Sequence, residues 1–255
     1  LSESSNIFFN IGHLSKAPKF NNIYTQSNTL QEYIKNEIVK AAECGYSYRS
    51  TIFSANLNSY YTIWENKPAN IYQTIGGIRY SDVVAMNALH KGIEMDFSFK
   101  INNGLSLEGL VSLGDWKWTS KGQAIILNSD NNAPSIDLGV TSSDTLNYDA
   151  TGVHVGDAAQ TQYGVCIRYE PNYNSYIKIR GTYFNDYYAD FDAATLKGNN
   201  SGRESWVIPS YELFDLHAGY KFKILNNNLL DLKISVLNLL NKKYISDAQN
   251  NDGYN

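Results

Sequence analysis

The sequence alternates apolar and polar residues with a period of two along much of its length. One run with an apolar residue at every second position consists of Phe214, Leu216, Ala218, Tyr220, Phe222 and Ile224. Because successive side chains of a β-strand point to opposite faces of a sheet, this run predicts a strand with one apolar face. The alternation resumes after the polar residues 226–228, which predicts a β-hairpin. The apolar face must therefore contact either another sheet in a sealed core or lipid.

The same alternation predicts nine strands. They lie at residues 5–14, 37–49, 51–65, 86–101, 104–119, 153–170, 173–189, 207–224 and 228–242. Strands of globular proteins are usually about five or six residues long, whereas a tilted strand needs about 9 to 11 residues to cross a membrane. The length of the predicted strands therefore favours a membrane-spanning sheet.

The connections between these strands alternate strictly between short and long. Short turns are predicted near residues 49–50, 102–104, 171–172 and 226–228, and long polar connections at 15–36, 66–85, 120–152 and 190–206. Outer-membrane barrels have short turns at the periplasmic rim and long loops at the outer rim, a rule that a soluble sandwich has no reason to follow. The sequence therefore predicts an all-β fold, an antiparallel transmembrane β-barrel.

Composition excludes several other classes of protein. No run of about 18 apolar residues is present, which excludes a membrane-spanning helix. The chain has 20 tyrosines and 4 tryptophans, and aromatic rings accumulate at membrane interfaces. A formal net charge of -4 gives no basic surface for nucleic acid. Cys44 and Cys166 have opposite strand parity, so a disulfide between them is not expected.

Charged residues on the polar faces predict a wide, water-filled lumen. They are Glu94, Asp96, Arg168, Glu170, Lys178, Arg180 and Asp215. Glu37 and Glu43 share one face but would lie about 20 Å apart, which does not suit an acid–base pair. His13, His90, His154 and His217 lack the spacing of metal ligands, and Asp190 and Asp192 lack the pattern of a calcium loop. We therefore expect no catalytic residues, no metal site, no cofactor and no enzymatic activity.

Aromatic residues near the predicted outer rim are the candidates for binding a ligand. They are Trp64, Trp116, Trp118, Tyr187 and Tyr188. Trp116 and Trp118 share one parity with polar residues of the same strand, which predicts two rings facing the lumen. The alternative is that these rings belong to the aromatic girdle at the membrane interface. The loops at 120–152 and 190–206 are long enough to cover a binding cavity.

Six segments resemble those of TonB-dependent outer-membrane receptors, in the order that the family has them. SVLNLLNKKYISDA resembles the closing motif of the family, and VIPSYELFDLHAGYKF resembles the strand before it. Upstream lie FNIGHLSKAPKF, NEIVKAAECGYSYRSTIFSANLNSYYTIWENK, GIEMDFSF and SLGDWKW, which resemble earlier strands. The resemblance covers essentially the whole sequence.

The resemblance implies that residues 1–255 are the C-terminal portion, about nine strands, of a barrel of about 22 strands. The plug domain and the last strand would then lie outside this sequence. The implied function is energy-coupled uptake of a scarce nutrient across the outer membrane of a Gram-negative bacterium. A ferric siderophore is the leading ligand, ahead of cobalamin and an oligosaccharide. The implied partners are outer-membrane lipid and the TonB energy-coupling protein, which would bind an N-terminal segment.

Two other functions fit the strand pattern. A passive porin or an adhesin-type outer-membrane barrel would share the alternation and the two classes of connection. A soluble carbohydrate-binding β domain would instead bury the apolar faces in a sealed core.

Overall fold

A computed structural model describes residues 3–23, 35–75, 78–126, 144–191, 193–224 and 228–250. Nearly all of its elements are strands. In chain order they are β1 (Ser5–Lys16), α1 (Phe20–Ile23), β2 (Glu37–Arg49), β3 (Phe53–Ile75), β4 (Ile78–Asn102), β5 (Leu105–Trp118), β6 (Lys121–Ile126), β7 (Asp144–Asp149), β8 (Ala159–Asn172), β9 (Ser175–Tyr188), β10 (Asp190–Phe191), β11 (Val207–Ile208), β12 (Tyr211–Lys223), β13 (Leu229–Val236) and β14 (Gln249–Asn250). Short 3-10 turns lie at Ala193–Thr195 and Gly198–Asn200.

One antiparallel sheet contains all the long strands. Its order is β1-β2-β3-β4-β5-β8-β9-β12-β13, and the short strand β11 pairs with β9. Each strand therefore lies beside the next long strand of the chain, which confirms the nine predicted strands and the antiparallel all-β fold. Within the described residues β1 and β13 each pair on one side only, so the sheet is open. No helix in the described part of the chain is long and apolar enough to cross a membrane.

Two of the predicted long connections contain strands, and the prediction is wrong for them. In the predicted loop 66–85, β3 and β4 continue as a paired hairpin beyond a register shift between Trp64 and Lys67. In the predicted loop 120–152, β6 pairs with β7 in a separate two-stranded sheet. In both places the two segments bond to each other, which pairs the backbone N–H and C=O groups that face the partner segment.

Three predicted strand boundaries also differ from the structure. The strand predicted at 153–170 begins at Ala159, because residues 153–155 instead bond to the end of β5, with Val155 N–H donating to Trp116 O over 2.9 Å. The strand predicted at 207–224 is divided at Pro209, which has no N–H for the ladder. The strand predicted at 228–242 ends at Val236, and Asn238 beyond it has a φ of 49° that no extended strand allows.

The two faces of the sheet differ as the alternation predicts. On the apolar face Ile93, Val165, Ile179 and Ile234 are 51%, 49%, 48% and 60% exposed. In the described part of the chain, no second sheet covers this face. Water-soluble proteins rarely expose so continuous an apolar surface, so this face is built to contact something other than water. Cys44 and Cys166 are both free cysteines, on β2 and β8.

Aromatic rings lie across glycines that are directly opposite on the neighbouring strand. The five pairs are Phe8 with Gly45, Tyr60 with Gly92, Phe97 with Gly109, Tyr176 with Gly219 and Phe214 with Gly181. A Cβ atom at any of these glycines would overlap the ring. Each pair favours one register of its two strands, because sliding a strand would place the ring against a side chain.

The packed interior lies at the end of the sheet that carries the long connections. Here side chains between residues 148 and 155, together with Ala193 and Leu196, pack against the ends of β3, β4 and β5. The buried residues of this interior, which we call the rim cap, are Met86, Ala88, Trp118, Tyr148, Ala150, Val153, Val155, Phe191, Ala193 and Leu196. A second buried cluster consists of Ala159, Tyr187, Ile208 and Tyr211. The described residues in the middle of the sheet form no such buried cluster, so side chains there are exposed on both faces of the sheet.

Candidate ligand site

Four neighbouring strands bring charged and aromatic side chains together on the polar face, below the rim cap. Glu37 lies on β2, Trp64 on β3, His90 on β4 and Trp116 on β5. The strand register places His90 directly opposite Trp116. We call these four residues, with Lys67, the rim cluster.

The histidine ring lies edge-on between the two indoles. The centroid of His90 is 5.7 Å from that of Trp64 and 5.5 Å from that of Trp116, with interplanar angles of 76° and 84°. These are T-shaped arrangements, which aromatic rings prefer to face-to-face contact. The three rings therefore form a continuous row across β3, β4 and β5.

Hydrogen bonds hold both indoles in place. The Trp116 Nε1–H donates to Tyr60 Oη over 2.8 Å, and the Trp64 Nε1–H donates to the Glu37 carboxylate. The backbone of Trp116 is clamped by buried Gln160, whose Oε1 accepts from the Trp116 N–H over 2.8 Å and whose Nε2 donates to the Trp116 carbonyl over 3.1 Å. Rings fixed in this way lose little further conformational entropy when a ligand binds.

A cationic side chain lies beside the row of rings. Lys67 Nζ is 4.8 Å from the centroid of Trp64 and 5.3 Å from that of Trp118. Its position follows from the register shift after Trp64, where Asn66 has a φ of 58°. A β-bulge redirects the next side chain, and here it directs the ammonium group over the indoles. The buried Glu37 carboxylate is paired with Lys16 at 3.2 Å, so the cluster combines an aromatic surface with the ammonium group of Lys67.

Trp118 has a different role from its neighbour Trp116. It is 6% exposed and belongs to the rim cap, where its ring lies edge-on to Phe191 at 6.1 Å and 85°. Its indole nitrogen has no hydrogen-bond partner among the residues that the structure describes. Trp116 and Trp118 are both on the predicted face, but Trp118 packs the cap instead of presenting its ring beside Trp116.

The two predicted tyrosines lie apart from the rim cluster. Tyr187 is 8% exposed in the second buried cluster, and its hydroxyl donates to Ser246 O over 2.6 Å. The ring of Tyr188 stacks on His154, with centroids 4.1 Å apart and planes 5° from parallel. His154 in turn contacts Glu204, whose carboxylate lies 2.6 Å from Nδ1. Of the five predicted residues, the structure therefore joins only Trp64 and Trp116 in one row.

The last described residues reach the rim cap. β14 pairs in parallel with β10, and the Asp190 N–H donates to Ala248 O over 2.9 Å. Burial raises the pKa of the Asp190 carboxyl above its ordinary value; the Phe191 N–H and Lys67 lower it, while Asp157 and Asp247 raise it further. The connection between β9 and β12 is thus tied to the end of the described chain by a backbone contact.

Sequence reasoning missed three members of the site. It found no metal-ligand spacing for His90 and no acid–base partner for Glu37, and it placed Lys67 in the predicted loop 66–85. Parity alone puts His90 on the polar face, but only strand register sets it between two indoles. No group of three or more histidine, cysteine, aspartate or glutamate side chains in the described ranges could hold a metal ion. Asp192, weighed above with Asp190 as a calcium ligand, lies outside those ranges.

Comparison with known proteins identifies one family. Its model, described as TonB dependent receptor-like, beta-barrel, matches residues 1–239. Among solved structures the chain is similar to the copper transporter OprC, with a TM-score of 0.66 and 15% identity over 98% of this chain and 33% of that one. No curated protein matches the sequence.

Two further solved structures are similar to nearly the whole of this chain. The FrpB iron transporter from Neisseria meningitidis has a TM-score of 0.62 and 20% identity, over 95% of this chain and 34% of that one. The ferric yersiniabactin uptake receptor FyuA from Yersinia pestis has a TM-score of 0.62 and 14% identity, over 97% of this chain and 32% of that one. The chain spans about a third of the length of each structure, and identities this low show the fold alone.

Proposed function

Because the chain belongs to the TonB-dependent receptor β-barrel family, we propose that it forms part of the wall of a nutrient receptor in a Gram-negative outer membrane. The coverage of the similar structures supports this proposal: nearly all of this chain matches about a third of each. The other wall strands, the plug and the segment that contacts TonB would then lie outside residues 1–255.

Contact with membrane lipid is supported by the apolar face of the sheet. Its large side chains are about half exposed, while the charged residues Glu108, Arg168, Glu170 and Lys178 lie on the other face. Strands such as β5, β8 and β9 have 14 residues each, which exceeds the roughly 9 to 11 that a tilted strand needs to cross a bilayer. The polar face would line the water-filled lumen.

The observation that carries the binding function is the rim cluster. A row of three rings and an ammonium group lies at the end of the sheet with the long connections, which would be the extracellular rim. A planar, negatively charged chelate would stack on the rings and pair with Lys67. A ferric siderophore is the leading ligand class, supported by similar structures described as an iron transporter and as a ferric yersiniabactin receptor. Cobalamin and an oligosaccharide are the next candidates.

The test begins with the complete gene. We expect a plug domain and a TonB-binding segment to be encoded before residue 1, and a final strand after residue 255. The complete gene product, purified in detergent, is then titrated with ferric siderophores, cobalamin and oligosaccharides while tryptophan fluorescence is recorded. Uptake is measured in cells with and without TonB.

Two alanine variants test the site. Trp64→Ala and Trp116→Ala each remove one ring of the row and should weaken binding by about twofold to tenfold, since aromatic contacts contribute about 0.5–1.5 kcal/mol. Trp206→Ala is the matched control, because Trp206 is 46% exposed and lies outside the cluster. Equal affinity in all three variants would exclude the rim cluster as the site. Uptake that does not need TonB would favour a passive porin, and a protein soluble without detergent would favour the carbohydrate-binding domain.

A further inference from the structure

A second polar site lies at the opposite end of the strands from the rim cluster. Between β8, β9, β12 and β13 the polar face carries a cavity of about 300 Å³, beside the short turn at residues 173–174. The side chains that define its chemistry are Arg168, Glu170, Tyr176, Lys221, Asp231 and Lys233. None of them belongs to the rim cluster, so this cavity is independent of the proposed nutrient site.

The floor of the cavity is built by an aromatic ring over a glycine. Tyr176 lies directly opposite Gly219 and covers it, and any side chain at Gly219 would displace the ring. The Arg168 guanidinium stacks on the Tyr176 ring, with its central carbon 4.2 Å from the ring centroid. Arg168 is fixed further by Glu170, whose Oε1 accepts from Nε over 2.9 Å and from Nη2 over 2.6 Å. A stacked and paired guanidinium is preorganised, so its remaining N–H groups have a set direction.

The charges around the cavity do not cancel. Three cationic side chains face two carboxylates. Arg168 is paired with Glu170, and Lys233 with Asp231 at 3.1 Å. Lys221 forms no ion pair with any residue that the structure describes, although its backbone N–H donates to Asn174 O over 2.7 Å. One ammonium group is therefore available on the wall of a preformed cavity.

We infer that this cavity binds an oxyanion, a carboxylate or a phosphate group, between Lys221 and the free edge of the Arg168 guanidinium. Arginine presents planar donors that match such a group, and lysine adds a compact positive charge. Glu170 and Asp231 hold the two paired cations in position. The oxyanion comes either from a small molecule or from an acidic side chain of polypeptide that packs on the polar face.

The experiment uses the complete gene product in detergent. Inorganic phosphate is titrated calorimetrically into the parent protein and into Arg168→Gln, Lys221→Gln and Lys223→Gln. Lys223 is the matched control, because it lies two residues after Lys221 on β12 but does not line the cavity. A second arm treats the protein with a carbodiimide, which joins an amine to a carboxylate in direct contact, and identifies the partner of Lys221 by mass spectrometry.

Two results support the inference and distinguish the sources. If the oxyanion is a free ligand, phosphate binds the parent and Lys223→Gln equally. It binds Arg168→Gln and Lys221→Gln at least about tenfold more weakly, since each variant loses a charge-assisted hydrogen bond to the oxyanion. If it belongs to polypeptide, phosphate does not bind, and Lys221 is cross-linked to an acidic residue outside the cavity. The inference is overturned if phosphate binding is unchanged in both variants, or if no phosphate binds and Lys221 is joined to no residue other than Asp231 or Glu170.

Discussion

The hydroxyl of Tyr60 accepts a hydrogen bond from the indole nitrogen of Trp116 over 2.8 Å, across the width of β4. The Tyr60 ring can reach that far because it lies over Gly92, the residue directly opposite on β4. The contact of Tyr60 with Gly92 therefore favours one register of β3 and β4 and also positions the Trp116 ring of the candidate ligand site.

Replacing that glycine tests this dependence. In Gly92→Ala the new Cβ would lie 2.5 Å from Leu113 O and overlap the Tyr60 ring, so Tyr60 must move and release Trp116. Overpacking of this kind costs about 1–3 kcal/mol, and we expect a lower midpoint of thermal unfolding together with altered tryptophan fluorescence. Gly12→Ala is the control, because its nearest neighbour would be Ala41 Cβ at 4.0 Å. Equal effects of the two substitutions would contradict the proposed role of Gly92.

Removal of the Glu37 carboxylate should destabilise the rim cluster. Glu37→Leu leaves the Trp64 indole N–H and Lys16 without their partner, and an unsatisfied buried donor costs about 1–3 kcal/mol. We expect a corresponding fall in the free energy of unfolding, measured with urea in detergent. Glu37→Gln keeps an acceptor for Trp64 and should lose less. Glu43→Leu is the matched control on the same face of β2, and a loss there as large as in Glu37→Leu would refute the prediction.

The hydroxyl of Tyr187 should stabilise the last described segment of the chain. Tyr187→Phe removes the hydrogen bond to Ser246 O, worth about 0.5–1.5 kcal/mol. We expect faster hydrogen exchange at residues 244–250, with little change in the strands. Tyr163→Phe is the control, since Tyr163 is 44% exposed on the apolar face. Unchanged exchange in Tyr187→Phe would show that other contacts hold this segment, such as the stacking of Tyr244 on Tyr211 at 4.5 Å.

The contact between β10 and β14 should weaken as the pH rises. Burial raises the folded-state pKa of Asp190 above its unfolded value, so the neutral carboxyl is the form that the fold prefers. Its stabilisation is complete below the ordinary aspartate pKa and is lost as the pH rises through the raised value. We expect exchange at residues 248–250, corrected for its intrinsic pH dependence, to increase across that window. Asp190→Asn should abolish this increase, and a pH response that persists in the variant must come from another group.

A charge on the apolar face should prevent assembly into the membrane. Arginine at the midplane of a lipid-facing strand costs about 2–4 kcal/mol, so Ile167→Arg, at a residue 52% exposed on the apolar face, should lower the fraction of folded protein in the outer membrane. Heat-modified mobility in gels measures that fraction. Ser112→Arg is the control, because Ser112 lies on the polar face opposite Glu94. If both variants assemble equally well, the apolar face does not contact lipid.

The order of strands and the identity of their faces follow from the sequence alone. Parity is a local property, since alternate residues of any strand point to opposite sides, whatever its neighbours are. The alternation at Ile93 to Ile101 and at Tyr163 to Tyr169 therefore predicts both the strands and the exposed apolar face that the structure has. Short turns such as 102–104 were predictable for the same reason, because turn residues interrupt the pattern.

Only the tertiary structure decided two features, the continuation of the β3–β4 hairpin beyond Trp64 and the arrangement of the rim cluster. Asn66, Lys67 and Pro68 have the composition of a loop, but the two extended segments pair with each other, which bonds the backbone groups that face the partner segment. His90 lies between Trp64 and Trp116 only because the registers of β3, β4 and β5 align these three residues, which are far apart in the chain. Register depends on contacts between strands, such as Tyr60 over Gly92, and no single strand contains that information.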